Sequence, residues 1–195
     1  MVKLRSMIKN ADKSGVDSTS SSDMRITKVG HLIRRYKLDE LMQLWNVFLG
    51  DMSLVGPRPN VKRETDLYTD VEKKLLSVKP GITDISSIVF SDEGDILSGK
   101  DDPDISYHQL IRPGKSKLGL FYISHRGFIF DIYLVFLTLL AIISKPNALK
   151  LLTSKMQDLN ASDELISIAS RMEELAPSPP PGAVNIVTSR DGAVH

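Results

Sequence analysis

The sequence predicts an α+β fold that is mainly α-helical and contains a small β element. Apolar residues recur at helical spacing in several stretches between residues 28 and 175. Only two short segments, 52–55 and 82–89, are expected to be extended. A chain of 195 residues is long enough for one domain with a real core, followed by a tail.

The chain is predicted to begin with a loop and two helices. Residues 10–23 are polar and Ser-rich, as is typical of a loop. Thr27 can cap a helix over 28–36. A second helix is predicted over 39–49, because Asp39 is a good N-cap residue and Gly50 is a typical stop. The residues of this helix at core spacing are Leu41, Leu44, Trp45 and Phe48.

The middle of the chain is predicted to alternate between helix, turn and strand. A helix over 63–77 would pack Leu67, Val71 and Leu75 inward, and the Lys79-Pro80-Gly81 turn would end it. The β-branched segment 82–89 is predicted as a strand, and the acidic, glycine-containing segment 91–104 as an exposed loop. The remaining predicted helices are, in chain order, 105–111, 116–124, 128–144 and 160–175.

The most hydrophobic segment runs from Phe128 to Ile143 and is interrupted only by Asp131 and Thr138. A membrane-spanning helix needs about 20 apolar residues, and this run is shorter. Its length leaves two interpretations open, a buried core helix or an interfacial helix. Pro146 is expected to end both this helix and the compact domain. From Pro177 onward the chain is Pro-rich and is predicted to be disordered.

Composition excludes several classes of function. The formal net charge is only +1 and no run of Lys and Arg is present, so nucleic acid is not an expected partner. The absence of cysteine excludes disulfides, thiol catalysis and thiolate metal sites. The four histidines lack metal-ligand spacing. The N-terminus has no apolar core of the length that a signal peptide needs.

Candidate chemistry is concentrated between Lys37 and Asn60. Asp39 and Glu40 are adjacent carboxylates at a predicted helix start, where the helix dipole favours the ionised form and a phosphate can also bind. Arg58 lies between two prolines and offers a guanidinium on a stiffened backbone, which suits a pair of phosphate oxygens. Each motif alone has an ordinary alternative, since acidic residues commonly cap helices and Gly-Pro-Arg-Pro forms rigid turns.

The combination resembles the bacterial sugar transferases, the monotopic phosphoglycosyl transferases that start bacterial glycan assembly. The segments that carry the resemblance are KLRSM at 3–7, RITKVGHLIRRYKLDEL at 25–41, QLWNVFLGDMSLVGPRP at 43–59, VKPGIT at 78–83 and the region 117–142. The resemblance implies a membrane-associated catalytic domain over 1–146. Residues 147–195 would form a helical segment and a disordered tail.

The resemblance also implies a reaction and its residues. Family members transfer a sugar phosphate from a UDP-sugar to a polyprenyl (undecaprenyl) phosphate and release UMP. Asp39 is then the nucleophile, while Glu40 binds Mg²⁺ or orients the reactants, with both carboxylates near the metal. Arg58 and Arg34 are expected to bind phosphate. The implied location is the cytoplasmic face of the bacterial inner membrane, at the membrane interface, with a homo-oligomer left open.

Three departures from the family pattern shape the expectations. Met42 stands where proline is usual, and DISSI follows Thr83 instead of the commoner GWAQ, so acceptor or sugar specificity is expected to differ. Because the first motif starts at Lys3, residues 1–195 are expected to lack a counterpart of the family's N-terminal membrane hairpin. We therefore expect weak membrane binding and little transfer by residues 1–195 alone. Two alternatives stay open: a truncated, non-catalytic nucleotide-sugar-binding or glycan-assembly partner, and a helical interaction domain that uses 160–175 and the tail.

Overall fold

The computed structural model describes residues 6–9, 24–35 and 43–189, and the structural statements below concern these residues. The described elements are, in order, α1 (Lys28–Arg35), α2 (Gln43–Phe48), β1 (Ser53–Val55), α3 (Lys62–Asp66), a 3-10 helix (Glu72–Ser77), β2 (Gly81–Thr83), α4 (Ile85–Val89), α5 (Glu93–Ile96), α6 (Pro103–Ser106), a π-helical turn (Tyr107–Ile111), α7 (Arg112–His125), α8 (Phe128–Ile143), α9 (Lys145–Asp158) and α10 (Asp163–Ser170). The predicted α+β class, mainly helical with a small β element, is confirmed.

Several element ends have the causes that the sequence suggested. The hydroxyl of Thr27 accepts a hydrogen bond of 2.9 Å from the amide of Gly30, which caps α1 as predicted. Gly50 has a φ of 81° and follows α2, so it provides the left-handed residue that commonly ends a helix. The predicted loop 10–23 and the start of the predicted helix at Asp39 lie outside the described residues.

The β element consists of two short parallel strands. β1 pairs with β2, with Ser53 opposite Gly81 and Val55 opposite Thr83. The core lies beside them, where α4, α7, α8 and α9 bury their apolar faces. Its fully or nearly fully buried members include Ile85, Ile88, Val89, Leu97, Ile111, Leu118, Leu134, Leu137, Ala148, Leu152 and Met156.

The predicted core face of the second helix is wrong for the described residues. Leu44, Trp45 and Phe48 are 47%, 55% and 80% exposed, whereas Gln43 and Asn46 are buried. The apolar spacing correctly indicates an amphipathic helix, but the apolar side faces outward. Leu41 lies outside the described residues.

Two predicted elements in the middle of the chain are replaced by shorter ones. The single helix over 63–77 is wrong, because α3 ends at Asp66 and a separate 3-10 helix begins at Glu72. The strand over 82–89 is correct only to Thr83. Asp84 then accepts a 2.7 Å hydrogen bond from the amide of Ser87 and caps α4, so the β-branched residues that follow are helical.

The segment from 91 to 125 is more helical than predicted. The expected loop 91–104 contains α5 and the start of α6, and Leu97 within it is buried. The two predicted helices 105–111 and 116–124 belong to one run, in which α6 continues through the π-helical turn into α7. This run brings Tyr107, Arg112 and Ser116 to the same side of the domain.

α8 packs in the core on one side, as the core-helix interpretation of the hydrophobic segment predicts, and its other side is exposed and apolar. Phe130, Leu134 and Leu137 face the core and are at most 7% exposed. The opposite side presents an exposed series at helical spacing, which we call the apolar stripe: Phe128, Ile129, Ile132, Phe136, Leu139, Ile142 and Ile143. No helix in the described ranges is long and apolar enough to cross a membrane.

The compact structure extends past Pro146, where the sequence suggested its end. Pro146 lies in the first turn of α9, and α9 buries Ala148, Leu149, Leu152 and Met156 in the common core. α10 is shorter than the predicted helix 160–175 and is capped by Ser162, whose hydroxyl accepts a 3.4 Å hydrogen bond from the amide of Leu165.

The Pro-rich segment is ordered up to residue 189, which corrects the prediction of disorder for that part. We call residues 177–189 the C-terminal strap. Val187 is fully buried and its carbonyl accepts a 2.7 Å hydrogen bond from the side chain of Gln109. The carbonyl of Gln109 accepts from the amide of Ser178, and the hydroxyl of Thr69 donates to the carbonyl of Pro181. Residues 190–195 lie outside the described part.

Candidate functional site

The turn that carries Arg58 is braced by the turn before β2. The amide of Gly81 donates a 3.1 Å hydrogen bond to the carbonyl of Pro57, and the amide of Gly56 donates a 2.9 Å bond to the carbonyl of Thr83. A Cβ atom on Gly81 would lie 2.1 Å from the nitrogen of Gly56, so the two backbones are in direct contact. These contacts fix the backbone on which the Arg58 side chain stands.

Arg58 lines two neighbouring pockets at the carboxyl ends of the parallel strands. The first is polar and is shared with Tyr68, Asp84, Tyr107, Arg112 and Lys115, among others. The second contains Ser87 and Thr138 and opens beside Ala141 and Ile142 of α8. The carboxyl edge of parallel strands is the usual place for a ligand in open α/β sheets. The guanidinium of Arg58 can therefore bind a ligand from either pocket.

Asp84 forms the floor of the polar pocket at the end of β2. Its carboxylate is 1% exposed and accepts hydrogen bonds from the hydroxyls of Ser86 and Ser87 as well as from the amide of Ser87. This is the DISSI segment, in which the sequence departs from the commoner family pattern. The departure thus places a buried carboxylate and a hydroxyl group in the wall of the pocket that contains Arg58.

A buried ion pair supports the other wall of the polar pocket. Glu72 is fully buried and accepts hydrogen bonds from Arg112 at 3.1 and 2.7 Å and from the hydroxyl of Ser116 at 2.7 Å. Arg112 also donates a 2.6 Å bond to the carbonyl of Leu67, and the amide of Thr69 donates to Glu72. This network holds the segment between α3 and the 3-10 helix against α7.

The pocket also perturbs the titration of its aromatic residues. Burial raises the pKa of Tyr68 to about 12, and the nearby Tyr107 adds to that rise. Burial, followed by the charge of Glu93, likewise raises the pKa of Tyr107. Burial and the neighbouring Arg112 lower the pKa of His108 to about 4, so its imidazole is neutral at pH 7. The two phenols remain protonated at pH 7 and can donate hydrogen bonds.

Of the four predicted site residues, the structure describes the side chain of Arg58 only. Arg58 lies in the pocket region as described above, and Arg34 belongs to α1, although its side chain is outside the described part. Asp39 and Glu40 also lie outside the described residues, so their predicted roles and their metal site stay predictions. Among the described residues, no group of three His, Asp or Glu side chains could hold a metal ion.

Sequence reasoning missed the residues that complete the polar pocket. Glu72 and Arg112 are 40 positions apart, and Asp84 resembles a simple helix cap in the sequence. Tyr68 and Tyr107 come from elements that were predicted with the wrong bounds. One signal was available, because Pro113 directly follows Arg112 and proline is common in the first turn of a helix. That signal indicates no partner for Arg112.

Fold and site together define a mainly helical domain with a polar pocket beside Arg58 and an outward-facing apolar surface. A model of the family described as bacterial sugar transferase matches residues 1–145, which is the larger part of the sequence. The chain therefore belongs to the bacterial sugar transferase family. The expectation drawn from the motifs is confirmed at the level of the family.

Individual relatives match the chain over shorter regions. It is 54% identical over 67 residues to an undecaprenyl-phosphate galactose phosphotransferase of Salmonella typhimurium, covering 34% of the chain and 14% of the relative. It is 45% identical over 83 residues to a putative undecaprenyl-phosphate N-acetylgalactosaminyl 1-phosphate transferase of Bacillus subtilis, covering 43% and 42%. It is 34% identical over 120 residues to the exopolysaccharide production protein ExoY of Sinorhizobium fredii, covering 62% and 46%. The chain thus spans less than half the length of each of these relatives.

Proposed function

We propose that the protein transfers a sugar phosphate from a UDP-sugar to a polyprenyl phosphate and releases UMP. This would be the first membrane step of a bacterial polysaccharide pathway. The names of the relatives support the reaction class. The observation that carries the proposal is the position of Arg58, on a braced turn between a polar pocket and a pocket bordered by the apolar α8. A donor diphosphate and a lipid phosphate both need such a cation.

The proposed chemistry has two displacements at phosphorus. In the first, a carboxylate oxygen of Asp39 forms a bond to the sugar-bearing phosphorus, and the bond from that phosphorus to the bridging oxygen breaks, so UMP leaves. In the second, a phosphate oxygen of the acceptor attacks the same phosphorus and releases the Asp39 carboxylate. Arg58 and Arg34 would stabilise the negative charge that develops on the phosphoryl oxygens.

Mg²⁺ belongs to this proposal as a cofactor held by the Asp39 and Glu40 carboxylates. A hard cation that prefers few carboxylates plus phosphate oxygens suits that donor pair. When bound, it would neutralise diphosphate charge. Arg58 and Arg34 would stabilise the rest of the negative charge, and their own charge does not change with pH in the working range.

Membrane contact is proposed through the two exposed apolar faces. The apolar stripe of α8 and the outward side of α2, with Trp45 and Phe48, leave large side chains in solvent. Clusters of large exposed apolar side chains are typical of protein or membrane interaction sites. An interfacial orientation on the cytoplasmic face of the inner membrane would bring the Arg58 region to the acceptor.

The decisive experiment measures UMP release from UDP-sugars in detergent micelles that contain polyprenyl phosphate. Asp39→Asn keeps the shape and capping ability of the side chain but removes the anionic oxygen, so we expect UMP release to fall at least about a hundredfold. Mass spectrometry should detect a phosphosugar adduct on Asp39 in the unmodified protein when acceptor is withheld. Binding of nucleotide sugar without UMP release would instead support the non-catalytic alternative.

Arg58→Lys tests the phosphate contact separately. Lysine retains the charge but loses the paired donors, so we expect kcat/KM for the UDP-sugar to fall about ten- to a hundredfold. Arg126→Lys is the matched control, because Arg126 is exposed and lies between α7 and α8, whereas the Arg58 pocket borders the other end of α8. Equal activities of the two variants would show that Arg58 serves only the turn.

A further inference from the structure

A large cavity in the described part of the chain lies at the beginning of α8, whereas Arg58 lines a pocket near the other end of that helix. The cavity is a groove of about 730 Å³ between the beginning of α8 and the second half of α9. Phe128, Ile129, Phe130, Leu151 and Leu159 make most of its lining apolar. A volume of this size is ordinary for a small-molecule site, and such a lining favours an apolar ligand.

The groove is bounded by ordered structure. The hydroxyl of Tyr133 donates a 3.0 Å hydrogen bond to the carbonyl of Leu151, which joins α8 to α9 at the groove wall. Phe130 on the inner side is 7% exposed, whereas Phe128 and Ile129 at the mouth are 79% and 83% exposed. The apolar lining is therefore built on fixed helices and is open to a ligand.

The apolar stripe connects this groove to the pocket of Arg58. Ile129 belongs to both the groove and the beginning of the stripe, while Ile142 belongs to both the end of the stripe and the pocket. The two isoleucines are about 20 Å apart along the helix, at about 1.5 Å per residue. Between them, Ile132, Phe136 and Leu139 keep the path apolar.

We infer that the groove and the apolar stripe bind the isoprenoid chain of the lipid phosphate acceptor, with its phosphate at Arg58. The inference rests on the proposed function and adds the location of the acceptor chain. Three features fit a long single-chain lipid with an anionic end: a cation at one end, an apolar path of about 20 Å, and an open, mostly apolar groove beyond it. The groove lies too far from Arg58 for a short prenyl chain to fill it.

The test compares two acceptors that share the phosphate but differ in length, farnesyl phosphate and undecaprenyl phosphate. Ile129→Ser removes apolar surface at the groove mouth, and because Ile129 is exposed the change should leave folding intact. Leu76→Ser is the control, since Leu76 is 56% exposed on the 3-10 helix, away from groove and stripe. Binding is measured by competition with a fluorescent prenyl phosphate in micelles, without donor, and transfer by UMP release.

Ile129→Ser is expected to weaken undecaprenyl phosphate about tenfold in both Kd and KM, while farnesyl phosphate is unaffected. Tenfold corresponds to about 1.4 kcal/mol, less than the full burial of an isoleucine side chain contributes. Equal effects on both acceptors, or no effect on either, would overturn the inference. So would a loss of liposome binding without a chain-length effect, because bulk membrane lipid would then cover the groove.

The proposed function and this inference fail in different ways. If no UDP-sugar yields UMP, the proposed function fails, yet the chain-length effect on binding can still be measured. If UMP is released but Ile129→Ser changes Kd and KM equally for both acceptors, the proposed reaction stands and the proposed location of the acceptor chain is wrong.

Discussion

Replacing Glu72 by Gln should be among the most damaging single changes in the described structure. The Glu72 carboxylate is fully buried and accepts four hydrogen bonds, two from Arg112, one from Ser116 and one from the amide of Thr69. Glutamine keeps only one acceptor oxygen and places an amide donor against the donors of Arg112. The Arg112 guanidinium, itself almost fully buried, would lose its counter-charge.

Breaking a buried ion pair from one side costs about 3–5 kcal/mol. For a chain of this size, about 2–4 °C of melting temperature is lost per kcal/mol, so we expect a fall of about 6–20 °C. Urea unfolding followed by circular dichroism gives the free energy directly. Asp66→Asn is the control, because the Lys62–Asp66 pair is exposed and its loss should change stability by at most about 0.5 kcal/mol.

A loss below about 1 kcal/mol for Glu72→Gln would refute the reasoning, since it would mean that the pair is hydrated or that Arg112 finds another acceptor. A second change tests whether the unpaired charge is the main cost. Adding Arg112→Met to Glu72→Gln removes the uncompensated charge, and part of the lost stability should return. If the double variant is less stable than the single one, the unpaired charge is not the main cost.

Three further predictions concern stability. Gly81→Ala should cost at least about 3 kcal/mol or prevent soluble expression, since the new Cβ would overlap the backbone of Gly56, whereas Gly127→Ala meets nothing within 4 Å and should be tolerated in urea unfolding. Because the pKa of His108 is lowered to about 4, the unfolded state binds more protons below about pH 6.5. Stability should therefore fall as pH drops from about 6.5 to 4, and the urea midpoints of His108→Asn at about pH 5 and pH 7 should differ less than those of the unmodified protein. Val187→Ala should cost about 1–2 kcal/mol because the side chain is fully buried, while Val184→Ala, at a position 91% exposed, should be neutral in the same assay.

Local signals in the sequence predicted local structure well. Thr27, Gly50 and the hydrophobic run of α8 act through their immediate neighbours, and their predicted consequences are present. The segment after Thr83 shows where propensity fails. Its β-branched residues favour a strand, but the carboxylate of Asp84 caps a helix, and Ile85, Ile88 and Val89 are buried in that helix.

Two features could not be predicted from the sequence: which way the apolar side of a helix faces, and which residues distant in sequence are in contact. The spacing of Leu44, Trp45 and Phe48 indicates an amphipathic helix but not that its apolar side faces away from the core. Arg58 was predicted from its motif, whereas the walls of its pocket depend on contacts between distant positions such as Glu72 and Arg112. The burial of Val187 depends on contacts of the same kind, which composition cannot reveal.

The C-terminal strap determines when, during synthesis, the earlier segments that it contacts can finish folding. The hydroxyl of Thr69 donates a hydrogen bond to the carbonyl of Pro181, 112 positions later, and the apolar site for Val187 stays empty until residue 187 is made. At about 5–20 residues per second, Val187 is added about 4–15 s after Arg112, so the wall that holds Glu72 and Arg112 is completed last. A premature stop or a frameshift before position 181 would therefore remove contacts from Thr69 and Gln109, which are encoded much earlier. A folding reporter placed after residue 189 would detect the protein only once this wall can close.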